Sequence, residues 1–124
     1  RHLRRLKILG FITHEKLIHL IRTAQCTIIP SIWPEPFGRV ALESITQLTP
    51  VIVSNRGALP EIVKNDKYGV VVEPDGKEIL KGLKKIISNN HLYIKEIRKD
   101  LIEIKKKYQQ QVVDEYINIF SKSI

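Results

Sequence analysis

The sequence predicts an α/β protein with a Rossmann-like parallel sheet and flanking helices. Short apolar runs rich in β-branched residues alternate along the chain with stretches in which apolar residues recur every three to four positions. This alternation of strand and helix is typical of parallel sheets, because each connection between parallel strands carries a helix back across the sheet. The 124 residues are enough for about one domain with a single core.

The first half of the chain contains two predicted strands, each followed by a helix. Residues 6–10 form a short apolar run that ends at a glycine, and a helix capped by Thr13 follows it. Residues 26–30 are rich in β-branched side chains and end at a proline, which predicts the second strand. Over residues 37–48 the apolar positions recur at intervals of three, four and seven, which predicts the second helix.

The second half contains two further predicted strands, at residues 51–53 and 69–72. Between them lies a glycine turn that leads into a short helix begun by Pro60. Asp75, with Glu78 three residues later, resembles a capping box, which predicts the start of another helix.

Beyond residue 89 the chain becomes charged and helical. A stripe of apolar residues extends to Tyr108, and a final helix is predicted from about residue 110 to residue 122. We therefore expect a partial Rossmann-like domain over residues 1–88. The C-terminal helices over residues 89–124 are expected to pack on this domain or to extend from it.

The composition indicates a folded protein without a membrane span. Hydrophobic residues make up 43% and charged residues 27% of the chain, and the apolar runs are far shorter than the ~20 residues that cross a bilayer. The basic first residues lead to no apolar signal segment, and the single cysteine, Cys26, excludes an internal disulfide, so we expect a cytoplasmic location. Because the sequence contains no methionine, we also expect that the chain is either trimmed or a piece of a longer one.

Two glutamates flank the junction between the second strand and its helix. Glu35 follows the strand, at the edge where open α/β sheets bind ligands. The first helical turn, from Phe37, offers unpaired N–H groups suited to a diphosphate; Gly38 leaves room for a phosphate, and Arg39 adds positive charge. Glu43 lies about 9 Å beyond Phe37, and its carboxylate can accept hydrogen bonds from two vicinal sugar hydroxyls. The spacing alone equally allows a loop charge and a solvated helix residue.

The run from residue 30 to residue 43 resembles the glutamate, seven residues, glutamate motif of family 4 of the retaining glycosyltransferases. These enzymes have the two-Rossmann-domain fold called GT-B and are also known as glycosyl transferases group 1. The resemblance extends, in the family's order, over residues 6–88. The segments that carry it are residues 8–12, 30–31, 35–38, 41–43, 50–52, 57–63 and 69–74.

The resemblance implies that this chain is the C-terminal, donor-binding part of a hexosyltransferase that moves a sugar from a nucleotide-activated donor with retention of configuration. Glu35 would be the catalytic residue at the transferred sugar, and Glu43 would bind the ribose. The other donor-binding residues that it implies are Phe37, Gly38, Arg39 and Ile12. It implies no cofactor and no obligatory metal, and it places the acceptor, a glycan or a lipid-linked molecule, on a domain outside this chain. By itself the chain is then expected to be inactive.

The sequence also departs from the family's pattern. The family's donor domain begins with another strand that bears a glycine-arginine segment, with a lysine further on, and both cations hold the diphosphate. Neither is present in this chain. Ser44 and Ile45 replace the usual alanine and small residue, which we interpret as a packing variation. A non-enzymatic module that binds a nucleotide sugar or a partner is therefore the alternative, and a basic adaptor on the same fold is a third hypothesis.

The formal net charge of +8 comes mainly from the ends of the chain and from lysines in the C-terminal helices. One interpretation is a solvated helix face, and another is peripheral contact with an anionic membrane surface. Nucleic acid is not an expected partner, because no aromatic residues interleave with the basic ones. The four histidines lack the spacing of metal ligands, and we expect them at helix surfaces and caps.

Overall fold

Three parallel strands form the centre of the computed structural model, which describes the backbone of residues 5–123 and the side chains of residues 5–119. The strands are β1 (Thr27–Ile29), β2 (Val51–Ser54) and β3 (Gly69–Val72). They lie in the order β1-β2-β3, and both pairings are parallel. The predicted α/β class with a parallel sheet is thus confirmed.

Helices occupy most of the remaining described residues. They are α1 (His14–Thr23), α2 (Arg39–Thr46), α3 (Leu59–Ile62), α4 (Gly76–Ser88), α5 (Asn90–Lys99) and α6 (Leu101–Ser123). Two predicted caps are confirmed: the Thr13 side chain accepts a hydrogen bond from the Lys16 amide, and the Asp75 side chain accepts one from the Glu78 amide. Such bonds satisfy amides that a helix leaves unpaired at its first turn. None of the described helices combines the length and apolar character needed to cross a membrane.

The sheet separates two clusters of buried side chains. Successive side chains of a strand point to opposite faces, so Val51 and Val53 of β2 pack in the cluster that α2 and α3 share, whereas Ile52 packs in the other. Ile86 of α4 and Tyr93 of α5 complete this second cluster. Helices therefore cover both faces of the sheet, as is usual for parallel sheets.

The strand predicted at residues 6–10 is wrong. These residues form no strand, and Ile8 and Phe11 are 91% and 100% exposed. A strand needs a hydrogen-bonding neighbour, and β1, at the edge of the described sheet, pairs only with β2. The apolar pattern of residues 6–10 thus lacks a strand partner within the described part of the chain.

The break between the C-terminal helices lies at Asp100, and its predicted position near residue 110 is wrong. The carboxylate of Asp100 accepts a hydrogen bond from the Tyr68 hydroxyl at 2.6 Å and contacts the Lys67 Nζ at 2.7 Å. These contacts come from the turn before β3 and fix the chain where α5 ends. Residues 101–123 contain no glycine or proline, so α6 continues past Tyr108 without interruption.

From the Asp100 contacts we expect a pH-dependent contribution to the stability of the fold. Lys67 and Tyr68 hold the pKa of the Asp100 carboxyl below its ordinary value. A lowered folded-state pKa stabilises the fold above the unfolded pKa of about 3.9 and ceases to do so as the pH falls through the folded pKa. We expect Asp100→Asn to lower the free energy of unfolding at pH 7, and this loss to shrink towards zero in acid. Urea unfolding from pH 7 to pH 2 measures it.

The control is Asp114→Asn, which changes an exposed carboxylate of α6. This carboxylate accepts a hydrogen bond from the Gln110 side chain. This variant should change the free energy of unfolding little at any pH. A loss in Asp100→Asn that stays constant from pH 7 to pH 2 would show that the carboxylate charge is not what stabilises the junction.

Candidate functional site

The loop between β1 and α2 holds Glu35 at the carboxyl end of the sheet. The hydroxyl of Ser31 donates a hydrogen bond to Glu35 Oε1 at 2.9 Å, and the Ala58 amide donates to the Glu35 carbonyl at 2.8 Å. Ser31 is itself held by the Ser54 hydroxyl, which donates to its carbonyl at 2.5 Å from the end of β2. Ser31 thus anchors the carboxylate of the half-buried Glu35, and Ala58 anchors its backbone, so Glu35 is held by residues that follow two neighbouring strands.

Gly57 makes this anchoring possible because it lies directly against the backbone of Glu35. A Cβ atom at Gly57 would come within 2.3 Å of the Glu35 carbonyl oxygen and 2.4 Å of its nitrogen. The residue also has a φ of +54°, a conformation that favours glycine. The glycine turn predicted between the last two strands therefore has a structural role beside Glu35.

The start of α2 presents unpaired amides next to Glu35. The first helical hydrogen bond joins the Leu42 amide to the Gly38 carbonyl, so the amides of residues 39–41 have no partner within the helix. Gly38 precedes the helix with a φ of +60°, and a Cβ at this position would overlap the Ile62 side chain. The phosphate role that the sequence predicted for Gly38 stays a prediction, since the positive φ alone explains a glycine here.

Glu43 is buried, with 4% of its surface exposed, so the alternative of a solvated helix residue is wrong. Its Oε1 atom lies 3.0 Å from His14 Nε2 and 3.5 Å from Arg39 Nε, and it accepts a hydrogen bond from the Tyr108 hydroxyl at 3.1 Å. These partners come from α1, α2 and α6. A buried carboxylate requires such compensation, because burial without partners costs several kcal/mol, on the order of 3–5.

Arg39 connects Glu43 to α6. Its guanidinium lies 3.5 Å from the Glu115 carboxylate as well as from Glu43. A hydrogen bond with Tyr108, together with these two carboxylates, raises the pKa of Arg39 above its ordinary value. The Phe37 carbonyl accepts a hydrogen bond from the Gln111 side chain. In the described structure, α6 therefore packs over the residues that the sequence assigns to donor binding.

The structure brings most of the predicted site residues together. Glu35, Gly38 and Arg39 line one depression of about 130 Å³ at the carboxyl end of β1. Ile12, which is half-buried, precedes His14 by two residues, and His14 reaches Glu43 on α2. No direct contact joins Glu35 to Glu43 among the interactions of the described side chains.

The sequence did not reveal two of the partners of Glu43. His14 was expected, like the other histidines, at a helix surface or cap; its side chain is 64% exposed, yet it contacts Glu43. Tyr108 was expected only as part of a buried stripe, and its hydroxyl reaches a residue 65 positions away. No local spacing could have indicated either contact. His2 lies outside the described residues.

The described side chains do not identify a metal centre. Over residues 5–119, no three or more histidine, cysteine, aspartate or glutamate side chains lie close enough to hold a metal ion. The expectation that no metal is required stays a prediction. The depression next to Glu35 instead combines a carboxylate with amide donors and a cation, which suits a ligand that carries both hydroxyl groups and an anionic group.

Comparisons with known proteins point to one family. The family described as Glycosyl transferases group 1 matches residues 2–108. An uncharacterized glycosyltransferase of Methanocaldococcus jannaschii is 34% identical over 117 residues, which are 90% of this chain and 29% of that protein. A glycogen synthase of Mycobacterium tuberculosis is 40% identical over 74 residues, which are 60% of this chain and 18% of that protein.

The solved structure of sucrose-phosphate synthase from Thermosynechococcus elongatus is similar to almost the whole chain. It superposes with a TM-score of 0.74 and 27% sequence identity, and the match covers 96% of this chain and 31% of the synthase. The chain thus spans less than a third of each of these three relatives.

Proposed function

The chain belongs to the glycosyl transferases group 1 family, and we propose that it is the donor-binding part of an enzyme that transfers a sugar from a nucleotide-activated donor with retention of anomeric configuration. The observation that carries this proposal is the arrangement of two glutamates, one before α2 and one on it. The unpaired first amides of α2 lie beside Glu35, and Glu43 is held in place further along the same helix.

Each residue has a part in the proposed function. Glu35 contacts hydroxyls of the transferred sugar and stabilises positive charge at its anomeric carbon. The amides after Gly38 and the guanidinium of Arg39 receive the diphosphate, which takes the place of Glu115 beside Arg39. Glu43 accepts hydrogen bonds from the ribose hydroxyls. Ile12 and Phe37 complete the donor site, with Ile12 packing against the base.

The size of the depression supports the proposal that this chain forms one wall of a larger site. Its volume of about 130 Å³ is below the roughly 300–1,000 Å³ of typical ligand pockets. A nucleotide sugar therefore needs a second wall, and we propose that another domain supplies it together with the acceptor site. The acceptor would be a glycan or a lipid-linked molecule, and the chain alone would not turn over.

Two further parts of the proposal concern the surroundings of the site. The helix amides and Arg39 are proposed to stabilise the departing diphosphate without an obligatory metal, so a chelator should leave the turnover rate unchanged. The exposed lysines of α4 and α5 support peripheral contact with an anionic membrane surface.

Replacing Glu43 by glutamine in the complete enzyme tests the donor site. The glutamine keeps the volume and one acceptor oxygen but removes the charge. We expect the KM for the nucleotide sugar to rise about 10- to 100-fold, as for a lost charged hydrogen bond, with a smaller change in kcat. Steady-state kinetics with a panel of nucleotide sugars measures both constants, and proton NMR of the product establishes whether the anomeric configuration is retained.

Glu103→Gln is the matched control, since it changes an exposed glutamate of α6 outside the site. An unchanged KM in Glu43→Gln would contradict the ribose role of Glu43. Donor binding without turnover by the complete protein would instead support the non-enzymatic module.

A further inference from the structure

The three donors that surround Glu43 all meet the same carboxylate oxygen. His14 Nε2, Arg39 Nε and the Tyr108 hydroxyl contact Oε1, and none of the described side chains forms a hydrogen bond with Oε2. A carboxylate that is held through one oxygen has a fixed orientation. Its second oxygen is then the one that a ligand would meet, through the 5% of the Glu43 side chain that is exposed.

The partners differ in what they supply. Arg39 compensates the charge, at 3.5 Å and with half of its side chain exposed. Tyr108 supplies a directed hydrogen bond from its hydroxyl, whose pKa burial raises above its ordinary value. His14 approaches the same oxygen at 3.0 Å. Arg39 alone would be enough to compensate the charge of Glu43. The shorter contacts of Tyr108 and His14 therefore indicate that these residues control the orientation of the carboxylate.

Rigid elements hold both of these side chains in position. Tyr108 packs against the main core cluster on the continuous helix α6, which also contributes the buried Ile104 one turn earlier. His14 is the first residue of α1, whose start is fixed by the hydrogen bond between the Thr13 hydroxyl and the Lys16 amide. Tyr108 is thereby preorganised for a ligand, while His14, whose side chain is 64% exposed, has a fixed backbone and a ring held by its contact with Glu43.

We propose that Tyr108 and His14 are positioning residues that orient the Glu43 carboxylate towards the vicinal hydroxyls of the donor ribose. The inference rests on the proposed donor role of Glu43 and extends it to two residues outside the glutamate motif. Through Tyr108, α6 then takes part in nucleotide selection. A nucleotide that lacks the ribose hydroxyls gains no binding affinity from the oriented carboxylate.

Tyr108→Phe tests this inference in the complete enzyme, with calorimetric titration of a nucleoside diphosphate and of its 2′,3′-dideoxy analogue. The phenylalanine keeps the ring in the core and removes only the hydroxyl. We expect the affinity for the ribonucleotide to fall about tenfold and the affinity for the dideoxy analogue to stay the same. In a Glu43→Gln background, Tyr108→Phe should have almost no further effect, since coupled residues are not additive. His14→Ala should follow the same pattern.

The matched control is Tyr93→Phe, which removes a hydroxyl in the core cluster on the other face of the sheet and should change neither affinity. Equal losses for both ligands in Tyr108→Phe would indicate a merely structural role and overturn the inference. Unchanged affinities in this variant would also overturn it, while ribose-dependent binding by the wild type would leave the proposed function intact. Wild-type protein that binds neither ligand would overturn both.

Discussion

Replacing Glu35 by glutamine in the complete enzyme is expected to lower kcat about 10²- to 10³-fold, the usual effect of removing one group that stabilises transition-state charge. Glutamine keeps the length of the side chain and can still accept the hydrogen bond from Ser31, so the loop should keep its conformation. The negative charge is lost, and with it the proposed stabilisation of the anomeric carbon. Steady-state kinetics at saturating donor measures the effect, and calorimetric titration of the nucleoside diphosphate should show nearly unchanged binding.

The matched control is Glu61→Gln, which neutralises an exposed glutamate on the neighbouring helix α3. Glu61 lines a depression that includes Phe37 but not Glu35, and its neutralisation should leave kcat unchanged. Turnover at the wild-type rate in Glu35→Gln would remove its catalytic role. A parallel loss of nucleotide affinity would indicate instead that Glu35 acts mainly in binding.

Most elements of the fold could be predicted from the sequence because their signals are local. A proline before Val51, a capping aspartate at position 75 and periodic apolar residues mark the starts and the buried faces of strands and helices. At Ser44, where the sequence departs from the family's pattern, the hydroxyl donates hydrogen bonds to Thr27 Oγ1 at 2.8 Å and to the Thr49 carbonyl at 2.9 Å. These bonds join α2 to β1 and to the segment before β2, and the interpretation of this departure as a packing variation stays a prediction.

The two errors in the fold prediction have a common cause: both features depend on residues that are distant in the sequence. Residues 6–10 have a strand-like pattern, but pairing decides whether such a segment becomes a strand. The break at Asp100 depends on Lys67 and Tyr68, more than 30 positions earlier in the sequence. The division of the chain at residue 88 stays a prediction, although Ile97 and Ile104 from beyond it join the main core cluster.

For the site, too, features set by the local sequence could be predicted, whereas contacts with distant residues could not. The position of Glu35 at the end of a strand could be predicted, since the order of elements determines which loops lie at the carboxyl edge of a parallel sheet. The burial of Glu43 could not, because it results from packing against α1 and α6. The contacts of Arg39 with Glu43 and Glu115 likewise depend on where the long helix lies.

Gly57→Ala is expected to destabilise the fold and to displace Glu35 at the same time. The left-handed backbone costs a residue with a Cβ about 1–2 kcal/mol, and the overlap with the Glu35 backbone adds roughly 1–3 kcal/mol. A loss of about 3 kcal/mol corresponds to a fall in Tm of about 12 °C for a domain of this size. Thermal unfolding followed by circular dichroism measures the loss. Because the overlapping atoms belong to backbone rather than to a flexible side chain, the loop itself must move, so kcat should also fall at temperatures where the variant is fully folded.

Alanine substitutions at two other glycines separate the cost of the backbone conformation from the cost of the overlap with Glu35. Gly10 has a φ of +62°, and a Cβ there would meet no atom within 4 Å, so Gly10→Ala measures the cost of the backbone conformation alone. At Gly76, where the backbone is ordinary and the space is also open, alanine should leave Tm unchanged or raise it slightly, since it favours the helix. We expect the loss in Gly57→Ala to exceed that in Gly10→Ala, with reduced turnover in Gly57→Ala alone. Equal losses in these two variants, with normal turnover, would mean that Glu35 does not depend on its close contact with Gly57.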